Sequence, residues 1–116
     1  MRITLPHLAR VSADYQAAYP DPLILAAGDS VRVIKRDPEF PGWLWCTDQR
    51  GKSAWVPESY LDLRGNSGVL RQNYSSAELT VCAGEQLTLL KFECGWFWAC
   101  RASGQPGWVP EKVIAL

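Results

Sequence analysis

The feature that most constrains this chain is that it repeats itself. LILAAGDSVRVIK at 23–35 aligns with LTVCAGEQLTLLK at 79–91, fifty-six positions later. GWLWC at 42–46 then meets GWFWA at 95–99, and WVPESYLDL at 55–63 meets WVPEKVIAL at 108–116, both at an offset of fifty-three. The change of three falls where RDPEFP at 36–41 shortens to FEC at 92–94, and insertions of that kind belong in surface loops. Two homologous units are therefore expected, 8–63 and 67–116, with 64–66 as a short polar linker. Residues 1–7 lie outside the repeat, as a tail or an extra edge strand.

Each unit reads as short strands separated by turns. SVRVIK and QLTLLK alternate apolar and polar residues, which places Val31 and Val33, and their counterparts Leu87 and Leu89, on a core face. Gly28-Asp29 and Gly84-Glu85 mark the turn entering that strand, because glycine takes the positive φ that other residues avoid. DQRG at 48–51 and RASG at 101–104 are hairpin turns that return the chain from the Trp-x-Trp strand. Helical periodicity is sustained nowhere. Several short antiparallel strands in some fifty-five residues bury enough apolar surface by curling into a small barrel, so the fold class is all-β.

Charge and composition exclude whole classes of function. Twelve basic side chains balance twelve acidic ones, and no basic stripe is present for a nucleic-acid backbone. MRITLPHLAR lacks the apolar run of a secretory leader, and no segment has the length of a membrane span. A cytoplasmic location follows as the expectation, with no membrane partner. Cys46, Cys82, Cys94 and Cys100 show no Cys-x-x-Cys spacing, and the single histidine is His7. Reduced thiols are expected, with no metal and no cofactor. Without a phosphate loop, a nucleophile motif or a ligand cluster, the chain is not expected to be an enzyme. Glu58 and Glu111, which follow Val-Pro in both copies, are assigned to the turn after the fourth strand.

In this order the motifs resemble those of the Src-homology-3 (SH3) family. ADYQAAYPDPLILAAGD at 13–29 resembles the opening strand and long first loop, GWLWC the aromatic third strand, and GKSAWVPESYLDL at 51–63 the distal turn through to the final strand. The resemblance covers nearly the whole chain twice and implies two consecutive small five-stranded SH3-like β-barrels. Tandem variant copies of this kind are similar to bacterial proteins, which implies a prokaryotic source. The resemblance also implies a protein or peptide partner, often proline-rich. A polyproline II helix presents paired prolines as ridges, and flat aromatic walls receive them without first ordering a flexible chain.

Carried over by position, the resemblance assigns peptide binding in the first repeat to Tyr15, Trp43, Pro57 and Tyr60, with acidic support from Asp21 and Glu39. Ala13 stands where the family's earlier tyrosine would be, and Pro22 replaces a residue that is often acidic. The second repeat keeps Trp96 and Pro110. On the fifty-six offset, however, Val69 and Arg71 occupy its two tyrosine positions, and Val113 answers Tyr60, so no paired aromatic slot is expected there. Trp55 and Trp108 are assigned to packing. Trp45 and Trp98 share a strand face with Trp43 and Trp96, and Trp45, Trp96 and Trp98 form the expected interdomain or partner surface. The expected function is an adaptor whose first repeat holds an extended peptide. The alternatives are a self-associating structural tandem and a cell-wall-binding protein.

Overall fold

Alternation and glycine punctuation give short strands throughout residues 3–19 and 21–116, which the computed structural model describes. In chain order they are β1 His7–Val11, β2 Ile24–Leu25, β3 Ser30–Arg36, β4 Trp43–Thr47, β5 Ser53–Pro57, β6 Leu61–Arg64, β7 Ser67–Leu70, β8 Tyr74–Ser75, β9 Gln86–Glu93, β10 Trp96–Arg101, β11 Pro106–Pro110 and β12 Ile114–Ala115. Single 3-10 turns, Glu58–Tyr60 and Glu111–Val113, precede β6 and β12. The predicted turns form as expected. Gly28 and Gly84 have φ of 93° and 94°, and the hairpin glycines Gly51 and Gly104 have φ of 89° and 93°. Among the described residues no helix is long and apolar enough to cross a membrane.

The chain divides into two compact units whose boundaries are not those of the repeats. One is contiguous, residues 21–76; the other is composite, joining the residues before 21 to 77–116. The contiguous unit has a five-stranded sheet in the order β5-β4-β3-β7-β6, with the short pair β2-β8. The composite unit has the order β11-β10-β9-β1-β12. Each sheet has the five strands expected and is SH3-like, its two end strands lying at opposite ends of the order rather than pairing to close the barrel.

The difference between repeat and unit is an exchange of first strands. β7, the first strand of the second repeat, pairs with β3 and β6 of the first. β1, the first strand of the first repeat, pairs with β9 and β12 of the second. The hydrogen bonds correspond one to one. Val11 N–H donates to Glu85 O at 2.8 Å, as Leu70 N–H does to Asp29 O at 2.8 Å; Ser12 N–H donates to Val113 O at 2.7 Å, as Arg71 N–H does to Tyr60 O at 2.8 Å.

The segment expected to be a linker explains this arrangement. Only Gly65 and Asn66 separate β6 from β7, and Gly65 has φ 62°. A glycine with positive φ in a two-residue loop closes a tight hairpin, and the register runs unbroken from Arg64↔Ser67 to Leu61↔Leu70. Residues 64–66 are therefore a hairpin turn inside the contiguous unit. Of the stretch expected to be a tail or an extra edge strand, only His7 is in a strand, at the start of β1, which lies between β9 and β12; residues 3–6 form no strand, and residues 1 and 2 lie outside the described residues.

Each unit has its own core. In the composite unit Ala9 and Val11 of β1 pack with Leu79, Val81, Leu87, Leu89, Phe97, Ala99, Val109, Val113 and Ile114. In the contiguous unit the counterparts Leu70, Leu25, Val31, Leu44, Cys46 and Val56 are buried. Val33 is only half-buried, unlike Leu89, although both strands carry the same bulge, the register skipping Ile34 between Val33 and Lys35 as it skips Leu90 between Leu89 and Lys91. Such a bulge turns the strand and re-aims its side chains, and it leaves Ile34 exposed.

Candidate functional site

In the contiguous unit the hairpin β4–β5 sets Trp43 opposite Pro57. The 3-10 turn that follows brings in Tyr60, its first N–H, from Glu58, bonded to Gly42 O at 2.8 Å. Opposite Tyr60 stands a residue the sequence reading did not single out, Tyr74 of β8. The two rings meet edge-on at 5.4 Å, and the Tyr74 hydroxyl donates to Trp55 O at 2.6 Å. This aromatic set is closed. Trp43 and Tyr60 are 4% exposed, Tyr74 is 5% exposed, and Pro57 is fully buried. Beside it the Arg36 guanidinium meets the Glu58 carboxylate at 2.7 Å and donates to Pro41 O. The hydrogen bond from Arg36, opposed by burial and helped by the Arg36 charge, holds the Glu58 carboxyl below its ordinary pKa.

Tyr74 corrects the expected equivalences. Leu25 pairs with Tyr74 as Val81 pairs with Tyr15, so Tyr74, not Arg71, is the counterpart of Tyr15. The loop from Tyr15 to Asp29 is three residues longer than that from Tyr74 to Glu85, and an offset fixed at the glycine turn misplaces Tyr15 and the residues before it.

Tyr15 itself belongs to the composite unit, apart from Trp43, Pro57 and Tyr60, with which sequence grouped it. There it lies edge-on to Trp96, ring centroids 5.9 Å apart, and β10–β11 pairs Trp96 with Pro110. Both rings of the pair are half-buried. The Tyr15 hydroxyl donates to Glu78 Oε1 at 2.6 Å, and the same oxygen accepts the Ala18 N–H at 3.0 Å. Burial, and then the adjoining Glu78 carboxylate, push the phenol's pKa above its ordinary value. Glu111 N–H donates to Gly95 O at 2.9 Å, which anchors a second acid next to Trp96. Phe92 stands at the position of Arg36 on the fifty-six offset, and Glu111 makes no ion pair among the described residues. The two repeats thus exchange phenols: Tyr15 of the first stands beside Trp96 of the second, and Tyr74 of the second beside Tyr60 of the first.

The two acids assigned to the groove do not come together. Asp21 pairs with Lys52 at 3.0 Å, in the turn that follows Thr47. Exposed Glu39 lies in the loop that precedes Trp43, at the other end of β4.

The outer tryptophans find partners within their own hairpins. Trp45 pairs across strands with Trp55, rings 5.0 Å apart, and Trp98 with Trp108 at 5.2 Å. Edge-on aromatic pairs at cross-strand positions stabilise a hairpin by roughly 0.5–1.5 kcal/mol beyond their buried area. Lys35 Nζ sits 5.9 Å from the Trp55 ring centroid. The partner surface expected at Trp45 and Trp98 is therefore covered at least in part by the chain itself, and the packing role expected for Trp55 and Trp108 has a geometry.

The remaining chemistry is sparse. All four cysteines are free; Cys46 is buried, and burial pushes its pKa up to about 12. Among the described residues no group of three or more His, Cys, Asp or Glu is placed to hold a metal ion.

Two SH3-like sheets, each with aromatic side chains gathered on the Trp-Pro hairpin and the first loop, define a tandem of small β domains of the protein-interaction type. The sequence profile of the family described as "Variant SH3 domain" matches residues 8–64 and again 70–116. The chain belongs to that family, as a tandem SH3-domain protein, and SH3 domains are in general protein-interaction modules.

Proposed function

We propose that this chain is a non-catalytic adaptor that binds an extended peptide or protein loop at the surface around Tyr15 and Trp96 of the composite unit. The observation that carries the reading is the half-exposed edge-on pair of Tyr15 and Trp96, beside Pro110. A tyrosine and a tryptophan at an angle leave a slot for a flat, preformed proline ridge. Glu78 and Glu111 make its surroundings acidic, which suits a proline-rich segment flanked by Arg or Lys. The burial of Trp43 and Tyr60 weighs against a conventional groove in the contiguous unit, whereas Pro57 and Pro110 are fully buried alike.

The test is a titration of isotope-labelled protein with a proline-rich peptide carrying terminal arginines, compared with the same peptide carrying glutamates. Amide shifts are expected at Tyr15, Glu78 and Trp96. Trp96→Ala is expected to weaken binding by at least about tenfold, ~1.4 kcal/mol, and Glu39→Ala to leave it unchanged. Shifts confined to other residues, or a Trp96→Ala protein that binds like the wild type, would refute the assignment.

A further inference from the structure

The composite unit is assembled from two chain segments that are not adjacent in sequence. Residues 3–19 form an arm, and 77–116 form the body that receives it, while the contiguous unit lies between them in the chain. We propose that the arm can be delivered to the body of a second copy of this chain, so that the protein forms an arm-exchanged dimer. This inference is independent of the peptide-binding reading above.

The receiving site is specific. β1 lies between β9 and β12, with registers His7↔Leu89 through Arg10↔Gln86 on one side and Arg10↔Ala115 and Val11↔Ile114 on the other. Val11 is 1% exposed and sits in the core with Leu87, Leu89 and Phe97. Beyond the strand, Tyr15 bridges to Val81, and the Asp14 carboxylate accepts the Ala83 N–H at 2.8 Å. An arm with this many partners has one register, and a second copy offers the same partners in the same order.

The connection lets the arm depart. Among the described residues the Ala17 and Ala18 N–H groups are held by side chains, Thr80 and Glu78, and not by a strand partner. The sequence then runs YPDP at 19–22, where two prolines disfavour continued strand pairing. Exchange between identical elements makes the same contacts in monomer and dimer, so the balance turns on concentration. For a short flexible connection the effective concentration of the tethered arm is on the order of millimolar. The dimer should therefore form when chains fold at about 1 mM and be absent at about 1 µM. Because release of the arm removes an interior strand of a sheet, a dimer once formed should outlast dilution.

The experiment refolds the full chain from denaturant at these two concentrations, dilutes both samples equally and measures mass by light scattering. A doubled mass is expected only after concentrated refolding. A second protein, Arg10→Cys with Gln86→Cys in a Cys82→Ser, Cys94→Ser, Cys100→Ser background, is refolded alike and oxidised. These exposed positions are cross-strand partners. Its dimer should run as a covalent dimer on a non-reducing denaturing gel, and its monomer as a monomer. Absence of a dimer after refolding at about 1 mM would overturn the proposal. So would a dimer whose chains separate on that gel despite complete oxidation, since the disulfide would then lie within each chain and the association would be through surfaces.

Discussion

Val11 gives the sharpest test of the strand exchange, because it belongs to the first repeat by sequence and to the core of the second repeat's body by structure. Val11→Ala removes two carbons from a side chain that is 1% exposed. Their transfer alone is worth about 1.6 kcal/mol at ~0.8 kcal/mol each. If the surrounding Leu87, Leu89 and Ile114 do not relax, a void of roughly 50 Å3 adds ~1.2 kcal/mol at about 24 cal/mol per Å3. The expected loss is thus between about 1.6 and 2.8 kcal/mol, measured by urea denaturation.

The location of the loss matters more than its size. Amide hydrogen exchange should show protection falling about 15- to 100-fold, the same free energies at ~1.4 kcal/mol per tenfold, in β9, β10 and β11. β3, β4 and β5 should keep their protection. Leu70→Ala, the counterpart substitution in β7, should do the reverse. If Val11→Ala loosens β3–β5 and spares β9–β11, the first strand pairs with its own repeat and the exchange is wrong.

Two further predictions follow from close contacts. A Cβ added at Gly107 would lie 2.8 Å from Leu79 Cγ and 3.0 Å from Leu79 N, so the backbone of 78–79 must move; Gly107→Ala should destabilise by about 1–3 kcal/mol in a thermal melt, and a melt unchanged from wild type would refute the contact. Tyr15 is protonated more tightly in the folded than in the unfolded chain, through burial and Glu78. Its stabilisation is therefore complete below the unfolded tyrosine pKa, about 10, and is lost as pH rises above it. Tyr15→Phe should lower stability at pH 7 by about 1.5–3 kcal/mol, as expected for a hydrogen bond to a charged group, and should flatten the alkaline limb of a stability–pH curve. An alkaline limb as steep in Tyr15→Phe as in wild type would refute this.

How much was legible varies by residue, for physical reasons. The strands and turns were readable because alternation at Leu87 and Leu89, and glycine at 28, 51, 84 and 104, are local signals. The pairing of Trp45 with Trp55 was available in principle: a turn closing Thr47 onto Ser53 fixes that register two residues further along. Tyr74 was hidden by a loop-length difference that shifts the offset from fifty-six to fifty-nine just where the tyrosines lie. Burial of Trp43 was not legible, since alternation separates the two faces of β4 but does not say whether both are covered. The choice of partner for β1 and β7 was the least accessible. Ala9 and Val11 in one strand, Gly68 and Leu70 in the other, present the same buried pattern to either body.

What breaks that degeneracy is the two-residue loop. In each unit the last strand of one repeat lies beside the first strand of the other: β6 beside β7, and β12 beside β1. A chain that leaves β6 and has only Gly65 and Asn66 before its next strand is set up to fold back on β6 at once. Hairpin closure is local and takes about 1–10 µs, whereas joining β1 to the same site closes a loop of some fifty residues, at a higher entropic cost. Once β7 occupies the place beside β6, β1 is left for β9 and β12. Tyr15 then goes to Trp96, and Tyr74 to Tyr60. The short loop thus decides which tyrosine meets which tryptophan-bearing hairpin. A functional reading of either repeat taken alone will group the wrong side chains.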